Sequence, residues 1–162
     1  MDITPDALPK AIEQAKKLFG EGDYEQAAAL FEKIFQIYDT AGDPLNAAEN
    51  KNNASVAFLK ADEPQKALDM ALGTEHIFAD AGDVKRQAMA LGNQAAALEA
   101  LGELDRAMQT YQQASELFKA AGESELRSYV LKSISALEMR RGKIGEAMVS
   151  MQTAIDTKKS PS

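Results

Sequence analysis

Apolar residues recur along the chain at the spacing of amphipathic helices, in blocks that end at glycine or aspartate. One block carries an apolar stripe at Ala88, Leu91, Ala95 and Leu98. The next block carries a longer stripe at Leu104, Ala107, Met108, Tyr111, Ala114 and Phe118. Alternating runs of Val, Ile and Thr between tight glycine turns, which would indicate hairpin strands, do not occur. The pattern therefore predicts an all-α fold.

Glycine and aspartate mark where these helices end and begin. Gly42 and Gly82 follow alanine-rich runs and suit the left-handed residue that closes a helix. Asp43 and Asp83 come next and suit the N-cap of the following helix, and we expect Asp62, which precedes Pro64, to act in the same way. The pattern predicts eight helices, at residues 7–20, 24–41, 44–61, 64–81, 84–101, 104–121, 125–141 and 144–158.

These marks return at a fixed interval of 40 residues. Ala-Gly-Asp at 41–43 recurs at 81–83, and as Ala-Gly-Glu at 121–123. A second series runs halfway between them, and five residues after each of its members stands an alanine: Gly22 and Ala27, Asp62 and Ala67, Gly102 and Ala107, Gly142 and Ala147. A period in this range is typical of a solenoid, in which each unit buries its apolar face against its neighbours. We expect the four alanines to be buried where paired helices cross.

We therefore predict a single domain over residues 1–158, followed by a disordered tail at 159–162. The repeat units of this domain fall at about 7–43, 44–83, 84–123 and 124–158.

Each unit resembles a tetratricopeptide repeat, whose second helix begins after Gly-Asp-Tyr and carries an early alanine. Gly22-Asp23-Tyr24 followed by Ala27 matches that spelling. The small residue that the family has on its first helix falls on Ala15, Ser55, Ala95 and Ser135, and the large residue three positions later falls on Leu18, Phe58, Leu98 and, as an exception, Glu138. A unit of 40 residues is similar to the long repeats of kinesin light chains and of cell-polarity adaptors. The resemblance implies a right-handed α-solenoid of four helix-turn-helix units, with eight antiparallel helices.

Composition and charge narrow the function classes. The net charge of -7 argues against nucleic acid as a partner, because phosphate binding needs a basic stripe, and against attraction to an anionic membrane. No apolar run is long enough to span a membrane, and the N-terminus lacks the features of a signal peptide. The absence of cysteine removes disulfides, thiolate metal sites and cysteine nucleophiles. We expect a cytoplasmic protein.

Candidate catalytic residues are scarce. His76 is the only histidine, and without a partner it is expected to have a structural or surface role. The G-x-G spelling within residues 19–23 follows no strand and lacks the rest of a dinucleotide fingerprint. The acidic residues spell no EF-hand loop. We predict no enzyme activity, no catalytic residue, no cofactor and no metal site.

In tetratricopeptide proteins the first helices of successive units line a concave groove that binds a peptide or partner protein. Carried over position by position, this peptide-binding groove falls on Lys16, Glu49, Asn52, Asn53, Val56, Leu59, Lys60, Met89, Asn93, Glu99, Tyr129, Lys132, Ser133, Met139 and Arg140. Asn53 and Asn93 stand in register in consecutive units, and an amide can both donate to and accept from the backbone of an extended peptide. The alternative is that both asparagines are solvated polar residues on a helix face. Gly92 and Ala96 leave room for a ligand.

The last helix supports a different hypothesis. Met148, Met151 and Ile155 form an apolar stripe that a following unit would cover in an internal repeat. The groove predicts one function, that of an adaptor or scaffold that binds a protein or peptide there. The alternative is a self-assembly module that homodimerises through this helix, or a regulatory fragment of a larger multidomain protein.

Overall fold

The structure, a computed structural model, describes residues 3–160. Within that part there is no strand, and a short 3-10 turn at Pro5–Ala7 precedes nine α-helices: α1 (Leu8–Gly20), α2 (Tyr24–Thr40), α3 (Pro44–Lys60), α4 (Pro64–Ala71), α5 (Thr74–Asp80), α6 (Val84–Ala100), α7 (Leu104–Ala120), α8 (Ser124–Arg140) and α9 (Ile144–Lys159). Helices α4 and α5 together stand where the sequence predicts one helix. The predicted tail at 159–162 lies partly outside the described residues, and α9 includes its first member, Lys159.

The helices pack in chain order, as the predicted all-α solenoid requires. Within each unit a first helix lies against a second helix, which gives the pairs α1 with α2, α3 with α4 and α5, α6 with α7, and α8 with α9. Each second helix also contacts the first helix of the next unit, as α2 does with α3 and α7 with α8. The first helices α3 and α6 touch directly. We call α1, α3, α6 and α8 the first helices and the others the second helices.

The four periodic alanines are buried, as predicted. Ala27, Ala67 and Ala107 are 0% exposed and Ala147 is 2% exposed. The small residue of the first helix is buried in every unit as well, at Ala15, Ser55, Ala95 and Ser135. In two units its hydroxyl donates across the helix pair, from Ser55 Oγ to the Ala67 carbonyl and from Ser135 Oγ to the Ala147 carbonyl, at 2.7 Å each. Only small side chains permit this close approach of two helix backbones.

The helix-closing and N-cap residues lie where the sequence predicts them, with one correction. Gly42 closes α2 with a left-handed backbone (φ 74°), and Asp43 caps α3 by accepting from the Asn46 N–H at 3.1 Å. The hydrogen bond from the Asn46 side chain lowers the pKa of the Asp43 carboxyl. The N-cap role predicted for Asp62 is wrong. Asp62 is itself the left-handed residue that closes α3 (φ 61°), and Glu63 is the N-cap of α4. It occupies the position that glycine holds in the other units.

The second helix of the second unit is interrupted, whereas the sequence pattern predicts one helix at 64–81. Leu72 is extended (ψ 129°) and Gly73 is left-handed (φ 86°), so α4 ends before them and α5 begins after them. The Ala71 carbonyl accepts from Thr74 Oγ1 at 2.8 Å and from Gln94 Nε2 at 3.1 Å. These side chains satisfy the acceptor at the break, which would otherwise be buried without a partner.

Candidate functional site

Two neighbouring pockets lie along the side of the solenoid that the first helices form. The first, of about 220 Å³, lies between α1 and α3 and is lined by Lys16, Phe19, Phe31, Asn53 and Val56. The second, of about 290 Å³, lies between α3, α6 and α8 and is lined by Ser55, Val56, Leu59, Lys60, Met89, Gly92, Asn93, Ala96, Tyr111, Phe118, Leu126, Tyr129 and Val130. Because Val56 lines both, the pockets share a wall, and we call them together the groove.

The two pockets are copies of one arrangement, displaced by one repeat. Adding 40 to the numbers of four lining residues of the first pocket gives four lining residues of the second: Lys16 gives Val56, Phe19 gives Leu59, Asn53 gives Asn93 and Val56 gives Ala96. Each pocket therefore has one asparagine on its wall from one first helix and an apolar residue, Phe19 or Leu59, from the first helix before it. The repetition of the fold has produced a repetition of the site.

Part of the predicted peptide-binding groove lines these pockets. Lys16 and Asn53 line the first, Val56 lines both, and the second is lined by Leu59, Lys60, Met89, Asn93 and Tyr129. Met89 and Tyr129 are large apolar or aromatic side chains that remain 41% and 71% exposed. Asn53 and Asn93 are half-buried, and among the described residues no side-chain hydrogen bond involves either amide.

Other residues of the predicted set are engaged elsewhere. The amide oxygen of Asn52 accepts from Thr74 Oγ1 at 2.9 Å, so this side chain supports the break between α4 and α5. Glu49 pairs with Arg86 at 3.5 Å. Neither residue lines either of the two groove pockets, although both lie on α3, which contributes other residues to them.

A small chain of polar contacts joins helices α6, α7 and α8, and so two units, beside the second pocket. Glu99 accepts from the Tyr111 hydroxyl at 2.9 Å and from Arg140 Nη1 at 3.4 Å. Burial, together with the charge of Glu99, raises the pKa of Tyr111, so its hydroxyl stays a donor. The remaining predicted residues, Lys132, Ser133 and Met139, lie on α8 outside both pockets.

Residues of the second helices also line the pockets, which the family resemblance does not predict. Phe31 of α2 and Tyr111 and Phe118 of α7 line the pockets and are buried. Carry-over from the family considered only the first helices. The helical spacing of Tyr111 and Phe118 in the apolar stripe of α7 is the signal that could identify them, because a core residue can also form part of a pocket.

His76, the candidate catalytic residue, is exposed, and the described residues form no metal-binding cluster. The His76 side chain is 79% exposed, with Nε2 3.4 Å from Glu75. Within residues 3–160 no group of three or more His, Cys, Asp or Glu side chains is placed to hold a metal ion. In the same part of the chain, no helix is long and apolar enough to cross a membrane.

The two ends of the solenoid differ in polarity. On α9, Met148 is 68% exposed, and Met151 and Ile155 are each 39% exposed. Their equivalents one repeat earlier are all buried: Met108, Tyr111 and Ser115. At the other end α1 has the exposed polar residues Lys10, Gln14 and Lys17, whose equivalents in α8 are the buried Val130, Ile134 and Leu137. The first end is thus polar, and the last end has an unpartnered apolar stripe.

Comparison with known proteins agrees with this architecture. A family model described as SNAP, soluble NSF attachment protein, matches residues 6–159. Among solved structures, BtubC (BKLC) from P. vanneervenii superimposes with a TM-score of 0.84 at 18% identity, over 96% of this chain. This chain spans 65% of the length of BtubC. No curated protein sequence matches the chain.

Two further structures extend the likeness. The TPR-like repeats of a Podosopora anserina protein described as a kinesin light chain superimpose with a TM-score of 0.79 at 15% identity, over 96% of this chain and 77% of that one. The crystal structure of MamA gives a TM-score of 0.59 at 20% identity, over 98% of this chain and 96% of that one. At such identities the likeness concerns the fold, and it confirms the resemblance to tetratricopeptide repeats that the sequence predicts.

Proposed function

The chain belongs to the soluble NSF attachment protein family, and we propose that it is an interaction module that binds a segment of a partner protein in the groove. TPR-like repeats serve protein–protein interaction in general, and the family name describes soluble proteins that attach another protein. On this proposal the chain works in the cytoplasm as an adaptor or scaffold, by binding and not by catalysis. The observation that carries the proposal is the pair of repeat-related pockets.

The shape of the groove favours a polypeptide over a small molecule. Two pockets of about 220 and 290 Å³ lie side by side with a shared wall, and a chain with side chains at regular intervals can fill both. Their walls combine apolar residues with a few polar groups, a composition typical of binding sites. Met89 and Tyr129 stand exposed at the second pocket, where a bound segment would cover them.

The asparagines supply the polar contacts that such a ligand needs. Asn53 and Asn93 are half-buried, which favours a binding role over the alternative that they are simply solvated. Each amide can accept one backbone N–H and donate to one backbone carbonyl. We propose that both bind the backbone of the ligand, one in each pocket.

The test begins with affinity capture from the native lysate, followed by mass spectrometry and titration of the recovered partner. Replacing Asn53 and Asn93 together with Ala is expected to weaken binding by about 1–3 kcal/mol, from about 0.5–1.5 for each hydrogen bond lost. The matched control is the double substitution Gln112→Ala and Gln113→Ala, which removes two exposed amides of α7 outside the groove. If the asparagine variant binds as tightly as the wild type, Asn53 and Asn93 do not hold the ligand and the role proposed for these two positions is wrong.

A second candidate function, self-association through α9, is supported by the apolar stripe at Met148, Met151 and Ile155. These residues are exposed although their equivalents in α7 are buried. A helix of a second copy can cover the stripe in place of the first helix that covers the same positions in internal units. Among the described residues, α1 exposes the polar Lys10, Gln14 and Lys17 where a head-to-tail filament would need an apolar complement. A two-fold dimer in which α9 packs on its own copy is therefore the form that we propose.

A further inference from the structure

The last turn of α8, which packs against α9, contains a buried acidic side chain without a partner. Glu138 is only 9% exposed, and its Oε2 atom is buried with no hydrogen-bond partner in the part of the chain that the structure describes. The equivalent residues of the earlier units are the apolar Leu18, Phe58 and Leu98, so the acid is peculiar to the last unit. Burying such a group is costly unless an opposite charge or a donor pairs with it.

The nearby basic residues of the same chain are already paired with other acids. Three of them follow Glu138 closely, and their partners are Glu99 for Arg140, Asp105 for Arg141 and Glu146 for Lys143. At the far end of α9, Lys158 and Lys159 are exposed and form no ion pair among the described residues. The last unit thus has an unpaired acid near the start of α9 and two unpaired bases at its end.

We propose, on the basis of the self-association proposed above, that two copies pack α9 against α9 in opposite directions and that the terminal lysines of each copy pair with Glu138 of the other. Each copy has both the acid and the bases, so the contact is made twice around a two-fold axis. This self-complementarity identifies the occupant of the apolar stripe as a second copy of this chain.

Two hydrogen bonds fix the register of α8 on α9. Serine hydroxyls of α8 donate to carbonyls of α9 at 2.7 Å, from Ser135 to Ala147 and from Ser128 to Ala154. The two helices therefore run in opposite directions, residue for residue. Glu138, which is three residues after Ser135, lies level with Ile144, which is three residues before Ala147.

A two-fold axis through the stripe determines what lies opposite Ile144. The stripe extends from Met148 to Ile155, so in antiparallel packing Met148 of one copy lies level with Ile155 of the second copy. Ile144 precedes Met148 by four residues and Lys159 follows Ile155 by four, so these two lie level as well. Lys158 is only about 1.5 Å away along the helix axis. The lysines of one copy thus reach the level of the buried acid of the other.

Both lysines also stand on the face of α9 that carries the stripe. They follow Ile155 by three and four residues, which is the spacing of neighbours on one helix face. A lysine can lay its aliphatic stem over Ile144, which is 58% exposed, and extend its ammonium group to the carboxyl group of Glu138. The same contact then covers apolar surface and neutralises a buried charge.

The junction between the third and fourth units has the same arrangement within one chain. There α8 packs on α7, and its end brings Arg140 to Glu99 and Arg141 to Asp105. The α9 helix of a second copy, antiparallel to α9, has the direction that α8 has against α7, and it also ends in two basic residues. The proposed contact therefore extends the packing of the solenoid by one helix.

A double-mutant cycle on the dimerisation constant tests the pairing. Glu138→Gln removes the charge and keeps the size of the side chain, and Lys158→Gln with Lys159→Gln removes both exposed bases. In sedimentation equilibrium of the full chain, each change is expected to weaken the dimer by at least about tenfold. Both changes together should weaken it little further, because either one already removes the pair.

Matched controls separate this effect from a general effect of charge or stability. Lys10→Gln with Lys33→Gln removes two exposed lysines of α1 and α2, far along the chain from α9, and should leave the dimer unchanged. Glu138→Gln should leave the melting temperature of the monomer unchanged or raised, because it removes a buried charge.

Single cysteines test the direction of the two helices, since the chain contains none of its own. Under mild oxidation, a mixture of Met148→Cys and Ile155→Cys chains is expected to form a mixed disulfide-linked dimer. Met148→Cys alone should link a far smaller fraction, because antiparallel packing separates the two copies of position 148. Efficient linking of Met148→Cys to itself would indicate parallel helices and overturn the proposed contact.

The outcomes distinguish failure of the pairing from failure of self-association. Effects that add in the cycle, or a dimer indifferent to the glutamine variants, would overturn the pairing and leave a dimer through α9 if Met151→Glu still dissociates it. A dimer that resists Met151→Glu would overturn both. A wild-type chain that stays monomeric at high concentration would also overturn both, would leave the stripe to a helix of another protein, and would not affect the groove proposal.

Discussion

Asp62 adopts a left-handed backbone conformation that the other units give to glycine. Its φ of 61° compares with values between 73° and 86° at Gly22, Gly102 and Gly142. Aspartate tolerates this region better than most residues, yet its Cβ still meets the following carbonyl. Glycine is the residue that this turn favours, and the other three units have it. Both the 40-residue period and the backbone geometry therefore identify Asp62 as an unfavourable residue at this position.

Asp62→Gly is expected to stabilise the fold. Relief of left-handed strain contributes about 1–2 kcal/mol, and the greater freedom of glycine in the unfolded chain removes about 0.5–1 of it. A net gain of about 0.5 kcal/mol in the free energy of unfolding should appear in urea denaturation. Asp62→Ala is the control and should destabilise; equal stability of the two variants would contradict the assignment of strain.

The crossing alanines give the sharpest test of the repeat register. Ala107 is 0% exposed, and a larger side chain there would force α6 and α7 apart. Ala107→Leu is expected to lower the free energy of unfolding by about 1–3 kcal/mol. Ala29→Leu, at an exposed position of α2, should have little effect. The register would be wrong if both variants melted at the temperature of the wild type.

At the scale of the element, a glycine inside a helical sequence pattern can either end the helix or continue it, and the chain contains both cases. Gly73 is left-handed (φ 86°) and ends α4, whereas Gly92 sits within α6 with ordinary helical backbone. Buried polar groups hold the break: the Thr74 hydroxyl lies within hydrogen-bond distance of the Asn52 amide oxygen and of the Ala71 carbonyl, which share its one proton. These hydrogen bonds stabilise the interruption, so it is a built feature of the fold and not a local loss of helix stability.

Alanine at these two glycines should have opposite effects. Gly73→Ala places a Cβ on a left-handed residue and is expected to cost about 1–2 kcal/mol of stability. Gly92→Ala is expected to raise stability by up to about 1 kcal/mol, because alanine favours the helix and the added Cβ meets no neighbour. Thermal denaturation followed by circular dichroism measures both, and shifts of the same sign would contradict the backbone assignment.

The sequence could predict most helix bounds because local signals determine them. The Gly42-Asp43 pair, for example, closes one helix and caps the next through bonds that span at most five residues. The break at Gly73 could not be predicted in this way. The Ala71 carbonyl at the break accepts a hydrogen bond from the side chain of Gln94, which lies on another helix, 23 residues further along the chain. Whether an isolated glycine ends a helix or continues it depends on such distant partners.

The same distinction applies to the candidate site. Register placed Asn53 and Asn93 at equivalent positions of the two pockets, because a period fixes equivalence between units. It could not show that the neighbouring Asn52 bonds to Thr74, or that Phe31 from a second helix lines the first pocket. Both facts depend on how helices of different units meet in three dimensions.

At the scale of the whole molecule, the polar first end and the apolar last end predict limited self-association. A two-fold contact through α9 buries Met148, Met151 and Ile155 of both copies and closes on itself, so we expect a dimer and no filament. Met151→Glu should shift the population to monomer in sedimentation velocity, because a buried carboxylate is costly to desolvate.

The control for this experiment is Leu72→Glu, which adds the same charge at another exposed apolar residue, 45% exposed, away from α9. It should leave the oligomeric state unchanged. A wild-type chain that remains monomeric at high concentration would remove the self-association proposal and leave groove binding as the function.

The central claim, that the partner binds across the first helices, can be tested by the protection of single cysteines. The chain contains no cysteine, so Met89→Cys in the second pocket and Gln112→Cys on the exposed side of α7 each provide one reporter. The rate of thiol alkylation is measured with and without saturating amounts of the partner recovered by affinity capture. We predict slower alkylation at position 89 and an unchanged rate at position 112. Protection at position 112 with none at position 89 would place the partner on the second helices and contradict the account.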